Sequence, residues 1–493
     1  MADIHFGTDG WRAIIGEDFT EDNVVRVVTA AAAAFAEDAL AAGYSFDRDA
    51  DGMPDDAATG ATGNAPEAKG IPALIIGHDC RLYAHEYAEL AASVAAAYGF
   101  QVKLSEDYCP TPTLCWSVAH DASAVGGIML TSSHNPAEYL GVKLRMADGG
   151  ASPKEFTDRV EALLPDEAPE ARGGWEEVDL MTPYLAALRT LVDEDAIRAA
   201  HLRVVVDPLF GAGRVYLADL LRDMGVEVTE IDNAADPTFD GLHPEPIPPW
   251  VDRGLAKAAE LEADALFVND GDADRIGAGD RFGHFVNPHR IITLVVSHLV
   301  EDCGRRGRVV STVTASAILD RMCRRLGLEL VSTPVGFKWI YAEMAKGGVL
   351  VGGEESGGIG IPEHVFERDG LLMALLLCEM MAVRHTDMAG LVDWLFDTVG
   401  RLEFTRIGVR ITDEEMVRFR GHTIPEFAPD AVAGKRVVGI DRRDGVKLLL
   451  EGDAWLMMRP SGTEPMVRVY AEAATQDDVD ALLAAGEAVV RGE

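Results

Sequence analysis

The six cysteines, Cys80, Cys109, Cys115, Cys303, Cys323 and Cys378, form no CxxC pair and no zinc-like spacing. That excludes a disulfide framework or a structural zinc module as the organising device. Read as reduced and mostly buried thiols, they point to a cytoplasmic protein. The opening MADIHFGTDG lacks a basic stretch followed by an apolar core, so no secretory signal is expected there. Long hydrophobic runs are missing too. The longest, residues 371–383, is interrupted by Glu379 and is too short to cross a bilayer. Cations are scarce: 44 Lys and Arg against 82 Asp and Glu leave a net charge of −38. Such a surface repels nucleic acid and anionic membranes, and both are excluded as partners. It also repels small phosphorylated ligands, so a phosphate site here needs arginine and lysine gathered locally. No feature of the chain sets an oligomeric state.

The chain does have length and hydrophobicity. Its 493 residues, 48% of them hydrophobic, exceed one ordinary core and suggest about three or four domains. Residues 71–76 read as a buried strand, 85–98 as an amphipathic helix and 101–104 as the next strand. The rhythm repeats at 202–206, 213–224 and 226–231, and again at 308–312, 316–326 and 328–332. The fold class expected is α/β, with three consecutive units built on mixed, largely parallel sheets. Strand-like runs at 401–410, 436–440, 447–450, 454–458 and 467–471 precede a final helix, the pattern of a smaller C-terminal α+β domain. The domains expected are 1–180, 181–290, 291–398 and 399–493. Residues 44–70 interrupt the first and, being rich in Ala, Gly and Asp, are expected to be a disordered acidic insertion. Asp47, Asp49, Asp51 and Gly52 imitate the start of a calcium loop, but Ala58 stands where a bidentate Glu is required.

Four stretches carry side chains suited to chemistry. Thr131-Ser132-Ser133-His134-Asn135-Pro136 follows the apolar run 124–130. There a strand end opens onto a turn that exposes hydroxyls at the carboxyl edge of a sheet, although a plain polar turn has the same composition. Asp270-Gly271-Asp272-Ala273-Asp274-Arg275 follows the strand 265–269. In an extended loop alternate residues project to one side, so the three carboxylates converge, and their mutual repulsion calls for a cation. All-oxygen ligands favour Mg²⁺. A solvated acidic turn, or a phosphatase with Asp270 as nucleophile, are the competing readings. Gly352 to Gly358 brackets Glu354 and Ser356, a carboxylate and a hydroxyl suited to vicinal sugar hydroxyls. Arg459-Pro460-Ser461-Gly462-Thr463-Glu464-Pro465, with Arg468 beyond, has the forks and hydroxyls of a phosphate cradle or, alternatively, of a strand-connecting turn.

In this order the four stretches resemble the α-D-phosphohexomutases, the phosphoglucomutase/phosphomannomutase family. The likeness covers nearly the whole chain and includes Phe6-Gly7-Thr8-Asp9-Gly10-Trp11-Arg12 and Thr333-Pro334-Val335-Gly336-Phe337-Lys338. It implies a four-domain enzyme in which each domain gives one loop to a central cleft. It further implies Ser133 as a phosphoserine, with Asp270, Asp272 and Asp274 holding Mg²⁺ together with the serine's phosphate. Glu354 and Ser356 would grip sugar hydroxyls, and Arg459, Ser461, Gly462, Thr463 and Arg468 the non-reacting phosphate. Arg12, His134, Lys143, Arg275 and Lys338 match positions near the transferred phosphoryl group. Lys143 is the expected proton carrier, on condition that its neighbours lower its pKa. The implied activity interconverts hexose 1-phosphate and hexose 6-phosphate, primed by a hexose 1,6-bisphosphate. Leu140 replaces the Asn common in the Tyr-Asn-Gly-x-Lys segment. Gly357-Gly358 stands where the glucosamine-phosphate branch often has Gly-His, which sets phosphoglucosamine mutase behind the glucose and mannose readings.

Overall fold

The computed structural model describes residues 4–7, 9–46, 69–461 and 465–492. Most of the expected insertion, residues 47–68, lies outside them, as do Gly462 and Thr463. The chain forms two compact units: Met1–Asn287 with Met344–Gly347 and Ser356–Ala389, and Pro288–Glu343 with Gly348–Glu355 and Gly390–Glu493.

The first unit contains two mixed sheets. In one, the parallel strands Gln101–Ser105, Ala73–His78 and Ala124–Leu130 form the centre, and Glu176–Val178 extends it. Tyr139–Met146 returns antiparallel beside Ala124–Leu130, and Trp11–Ile14 closes that edge. The central strands are buried on both faces, which is why they read as continuous apolar runs. The helix Glu21–Ala41, capped by Thr20, packs Val and Ala against this sheet. Gly126 is required by that packing, because a Cβ there would lie 2.3 Å from the Phe35 ring. In the second sheet Arg203–Asp207 runs parallel to Glu227–Glu230 and Ala265–Asn269, and Ile276–Gly279 turns back antiparallel. The buried helix Gly370–Arg384 begins at Asp369, whose carboxylate caps Leu372 N and accepts a hydrogen bond from Tyr184. Despite its apolar sequence it has 15 residues. Among the described residues no helix is long and apolar enough to cross a membrane.

In the second unit Arg308–Thr312 lies between Leu330–Thr333 and Val349–Gly353, all parallel. A separate antiparallel sheet runs in the order Glu403–Arg410, Met466–Ala473, Trp455–Pro460, Val446–Leu450, Lys435–Asp441, Ala431–Val432. One face buries Val467, Val469, Ala471, Leu456 and Leu448 against the helix Gln476–Arg491. Parallel α/β layers followed by a terminal antiparallel α+β layer are the architecture expected.

Element ends differ where tertiary contacts override local preference. The helix expected from 213 begins at Tyr216, because Val215 has a left-handed backbone (φ 67°) and donates its N–H to Glu230. The acidic stretch after Asn269 is not extended. Ala273 N donates to Asp270 O and Ala273 has φ 56°, so the carboxylates converge by tight curling rather than by strand alternation.

Candidate functional site

The strands Ala124–Leu130 and Ala265–Asn269 each deliver one loop to the same point of the first unit. Ser133 stands on the first loop, nearly fully buried, with a left-handed backbone (φ 52°). Its N–H donates to Thr131 Oγ1 at 2.9 Å, and its hydroxyl donates to Asp270 Oδ2 at 2.8 Å. His134 Nδ1 is 3.4 Å from the same hydroxyl. Glycine at 271 permits this approach, since a Cβ there would lie 2.4 Å from the Ser133 carbonyl oxygen.

Asp270, Asp272 and Asp274 are completely buried, and one oxygen of each lies within 4.8 Å of those of the others. Lys143 Nζ donates to Asp272 Oδ2 at 2.7 Å and Asp274 Oδ2 at 3.2 Å, and pairs with Asp9 at 3.0 Å. Thr111 also donates to Asp272 Oδ2, and Arg368 Nη2 pairs with Asp274 Oδ2 at 2.7 Å. The second oxygens, Asp272 Oδ1 and Asp274 Oδ1, are buried with no hydrogen-bond partner among the described residues. Orphaned carboxylate oxygens in an all-oxygen cluster fit a hard divalent cation such as Mg²⁺.

The charges explain the titration. Burial and then the neighbouring Asp274 and Asp272 push the Asp270 carboxyl well above its usual value. Asp272 is also buried, but Lys143 and the hydrogen bonds from Lys143 and Thr111 outweigh this and hold its pKa down. For Lys143, burial favours the neutral amine, yet Asp272, Asp274 and Asp9 override it and raise the ammonium's pKa. The condition set for a proton carrier at Lys143 is therefore not met in this arrangement. The sequence displays a lysine but not the three carboxylates that fold around it.

Arg12 Nη1 donates to Asn135 Oδ1 at 2.6 Å, beside the serine. Arg275 Nε lies 3.8 Å from both Asp270 and Asp274. The first unit thus brings together Arg12, Ser133, His134, Lys143, Asp270, Asp272, Asp274 and Arg275; Ser356 also belongs to it. Lys338, Glu354, Arg459, Ser461 and Arg468 belong to the second unit. There, Glu354 is buried, and the adjacent Glu355 accepts hydrogen bonds from Thr314 at 2.6 Å and Thr312 at 3.3 Å. Lys338 is the second residue of the helix Phe337–Met344, and its Nζ lies over the Trp339 ring at 5.6 Å. Arg459 and Arg468 are directly opposite on paired antiparallel strands. Like charges so placed repel unless an anion joins them. Asp444 receives Arg459 Nε at 2.8 Å, and Ser461 N donates to Met466 O at 2.8 Å.

Several contributors carried no local signal. Arg368 pairs with Asp274 and with Asp9, the latter 359 positions away, and Arg145 links Asp9 to Glu367. Thr111, which donates to Asp272, carried none either, although Asp9 stands inside the opening motif.

A hydroxyl, a buried oxygen-only cluster and a ring of fixed cations define a site for an anion and a divalent metal on an α/β scaffold. Comparison with known proteins narrows the class. Models of the phosphoglucomutase/phosphomannomutase family match in order: α/β/α domain I at residues 56–170, domain II at 182–283, domain III at 287–399 and the C-terminal domain at 416–488. The chain belongs to this family. A phosphoglucomutase/phosphomannomutase of Thermococcus kodakarensis is 30% identical over 83% of this chain and 88% of its own length. A Pyrococcus abyssi protein assigned as a phosphoglucosamine mutase is 30% identical over 85% of this chain and 90% of its own. A crystal structure of a Thermus thermophilus protein assigned as a phosphomannomutase superposes with a TM-score of 0.85 at 34% identity, covering all of both chains.

Proposed function

We propose that this protein interconverts hexose 1-phosphate and hexose 6-phosphate, with glucose or mannose as the sugar, through a phosphoryl group carried on Ser133. The observation carrying this reading is the 2.8 Å contact between the Ser133 hydroxyl and Asp270, within a cluster where Asp272 Oδ1 and Asp274 Oδ1 lack hydrogen-bond partners among the described residues. Asp270, Asp272, Asp274 and the phosphoserine would hold Mg²⁺. When bound, the ion offsets the nearly dianionic phosphoserine and charge on the transferring group.

The sugar's free hydroxyl oxygen attacks the Ser133 phosphorus and the bond to Ser133 Oγ breaks. The serine ends with the proton that the sugar gives up. The resulting hexose 1,6-bisphosphate turns over and returns its other phosphoryl group to Ser133, so added bisphosphate primes the enzyme. Arg12, His134, Lys143, Arg275 and Lys338 stabilise charge on the moving group, Lys143 as a fixed ammonium rather than as a base. Arg459, Ser461, Gly462, Thr463 and Arg468 hold the second phosphate, and Glu354 and Ser356 take sugar hydroxyls. On this reading the domains are 1–180, 181–290, 291–398 and 399–493, and the enzyme works in the cytoplasm on small sugar phosphates.

The phosphatase reading makes Asp270 the nucleophile and leaves the Ser133 hydroxyl, held 2.8 Å from it, and the Asp274 carboxylate without a purpose. The test supplies glucose 1-phosphate, Mg²⁺ and a trace of glucose 1,6-bisphosphate and follows glucose 6-phosphate through its dehydrogenase. Turnover abolished by a chelator is expected; release of inorganic phosphate alone would overturn the proposal. Comparing kcat/KM for glucose, mannose and glucosamine phosphates assigns the sugar and tests phosphoglucosamine mutase as the alternative.

A further inference from the structure

Arg81 follows the strand Ala73–His78 and is 3% exposed, with no role in the chemistry described so far. Its guanidinium collects four carbonyl oxygens from a single loop. Nη2 donates to Ser133 O at 2.7 Å and Asn135 O at 2.6 Å, and Nη1 to Pro136 O at 2.8 Å and Tyr139 O at 3.0 Å. Asp79 aims the group: it accepts from Arg81 N at 3.0 Å and lies 3.3 Å from Nε, while its Oδ2 also receives Thr131 Oγ1. The Phe239 ring lies 4.9 Å from the guanidinium carbon. Thr131 in turn accepts Ser133 N, so both backbone groups of Ser133 trace to one Asp79–Arg81 pair.

We propose that Arg81 is a positioning residue for phosphoryl transfer, holding the Ser133 loop in the strained backbone that aims the hydroxyl at the metal turn. The inference rests on the mutase reading given above. A serine in the left-handed region is unfavourable in isolation and persists only where its surroundings over-determine it. Four charge-assisted hydrogen bonds to carbonyls spread over residues 133–139 supply that determination, and only a planar fork reaches all four. With the Ser133 carbonyl drawn to Arg81 on one side and crossed closely by Gly271 on the other, the side chain is left directed at Asp270. A lysine keeps the charge but cannot reproduce the fork.

The experiment compares wild type with Arg81→Lys and the milder Asp79→Asn. It measures kcat and KM, the urea midpoint, and the rate at which glucose 1,6-bisphosphate phosphorylates Ser133 by intact mass. Misplacing a reacting atom by about 1 Å costs on the order of a hundredfold, so kcat and the phosphorylation rate of Arg81→Lys should fall together by about that factor while KM stays within about threefold. Asp79→Asn should show the same pattern more weakly, and millimolar methylguanidinium should partly restore Arg81→Ala. A purely structural role would instead lower the urea midpoint and the active fraction while leaving the rate per phosphorylatable site unchanged, and that result overturns the proposal. If Arg81→Lys does not fold, Asp79→Asn decides by the same two readouts. Wild-type protein that the bisphosphate fails to phosphorylate would refute the mutase reading itself, independently of Arg81.

Discussion

Replacing Lys143 with methionine removes a buried side chain that pairs with three carboxylates, two of them fully buried. Its ammonium lies 2.7 Å from Asp272, 3.0 Å from Asp9 and 3.2 Å from Asp274, and the residue is 1% exposed. The loss is not shared equally. Asp9 keeps Arg145 at 2.9 Å and Arg368 at 2.7 Å, and Asp274 keeps Arg368. Among the described residues, Asp272 keeps only the Thr111 hydroxyl as a hydrogen-bond donor. One uncompensated buried carboxylate costs about 3 kcal/mol, the lower end of what breaking a buried ion pair costs. Urea unfolding of metal-free Lys143→Met should show a loss of that size. Mg²⁺ should restore more stability to the variant than to wild type, because the cation then meets one more uncompensated negative charge; stabilisation by a ligand grows as the logarithm of its concentration over Kd. Turnover should nevertheless fall by about a hundredfold or more, since the positioned cation is gone. A metal-free variant as stable as wild type, or one stabilised less by Mg²⁺, would refute the assignment of Lys143 as counterion to the acidic turn.

Arg468→Met should raise KM for hexose phosphates by tens of fold with a much smaller change in kcat, because a charged hydrogen bond made equally in ground and transition states is worth about 1.5–3 kcal/mol; steady-state kinetics check this. Burial pushes the Asp207 carboxyl up to about 8, so the folded state keeps a proton that the unfolded state loses near its usual value of 3.8. That contribution is fully present below the unfolded pKa and disappears as pH rises through about 8. Asp207→Asn should therefore gain stability relative to wild type between pH 4 and 8, read by urea melts across that range. Lys447 behaves in the opposite sense: burial lowers it to about 8, so wild type should gain on Lys447→Met as pH rises from about 8 towards the usual lysine value of 10.5. A pH-independent difference in either series would contradict the assigned burial.

Strands were the most legible part of the chain. Residues 124–130 and 265–269 are apolar runs ended abruptly by polar turns, and both fold as the strands that deliver the serine and acidic loops. The paired arginines of the last sheet were visible as types and spacing, but their direct opposition depends on strand register. What could not be read locally was everything set by chain return. Arg368 reaches Asp9 from 359 positions away, and Thr111 reaches Asp272 from 161. No periodicity encodes such contacts. Lys143 shows the consequence: a proton carrier there needs neighbours that lower its pKa, whereas the three carboxylates folded around it raise it. Arg81 escaped notice for a related reason, since its partners are backbone carbonyls that have no side-chain signature.

The most direct test of the central claim is where the phosphoryl group resides after one turnover. Incubating the wild-type chain with glucose 1,6-bisphosphate and Mg²⁺, then mapping the modified peptide by mass spectrometry, should find a single added phosphoryl group on Ser133 and none on Ser133→Ala. A phosphoryl group on Asp270, or undiminished mutase turnover by Ser133→Ala, would contradict the account.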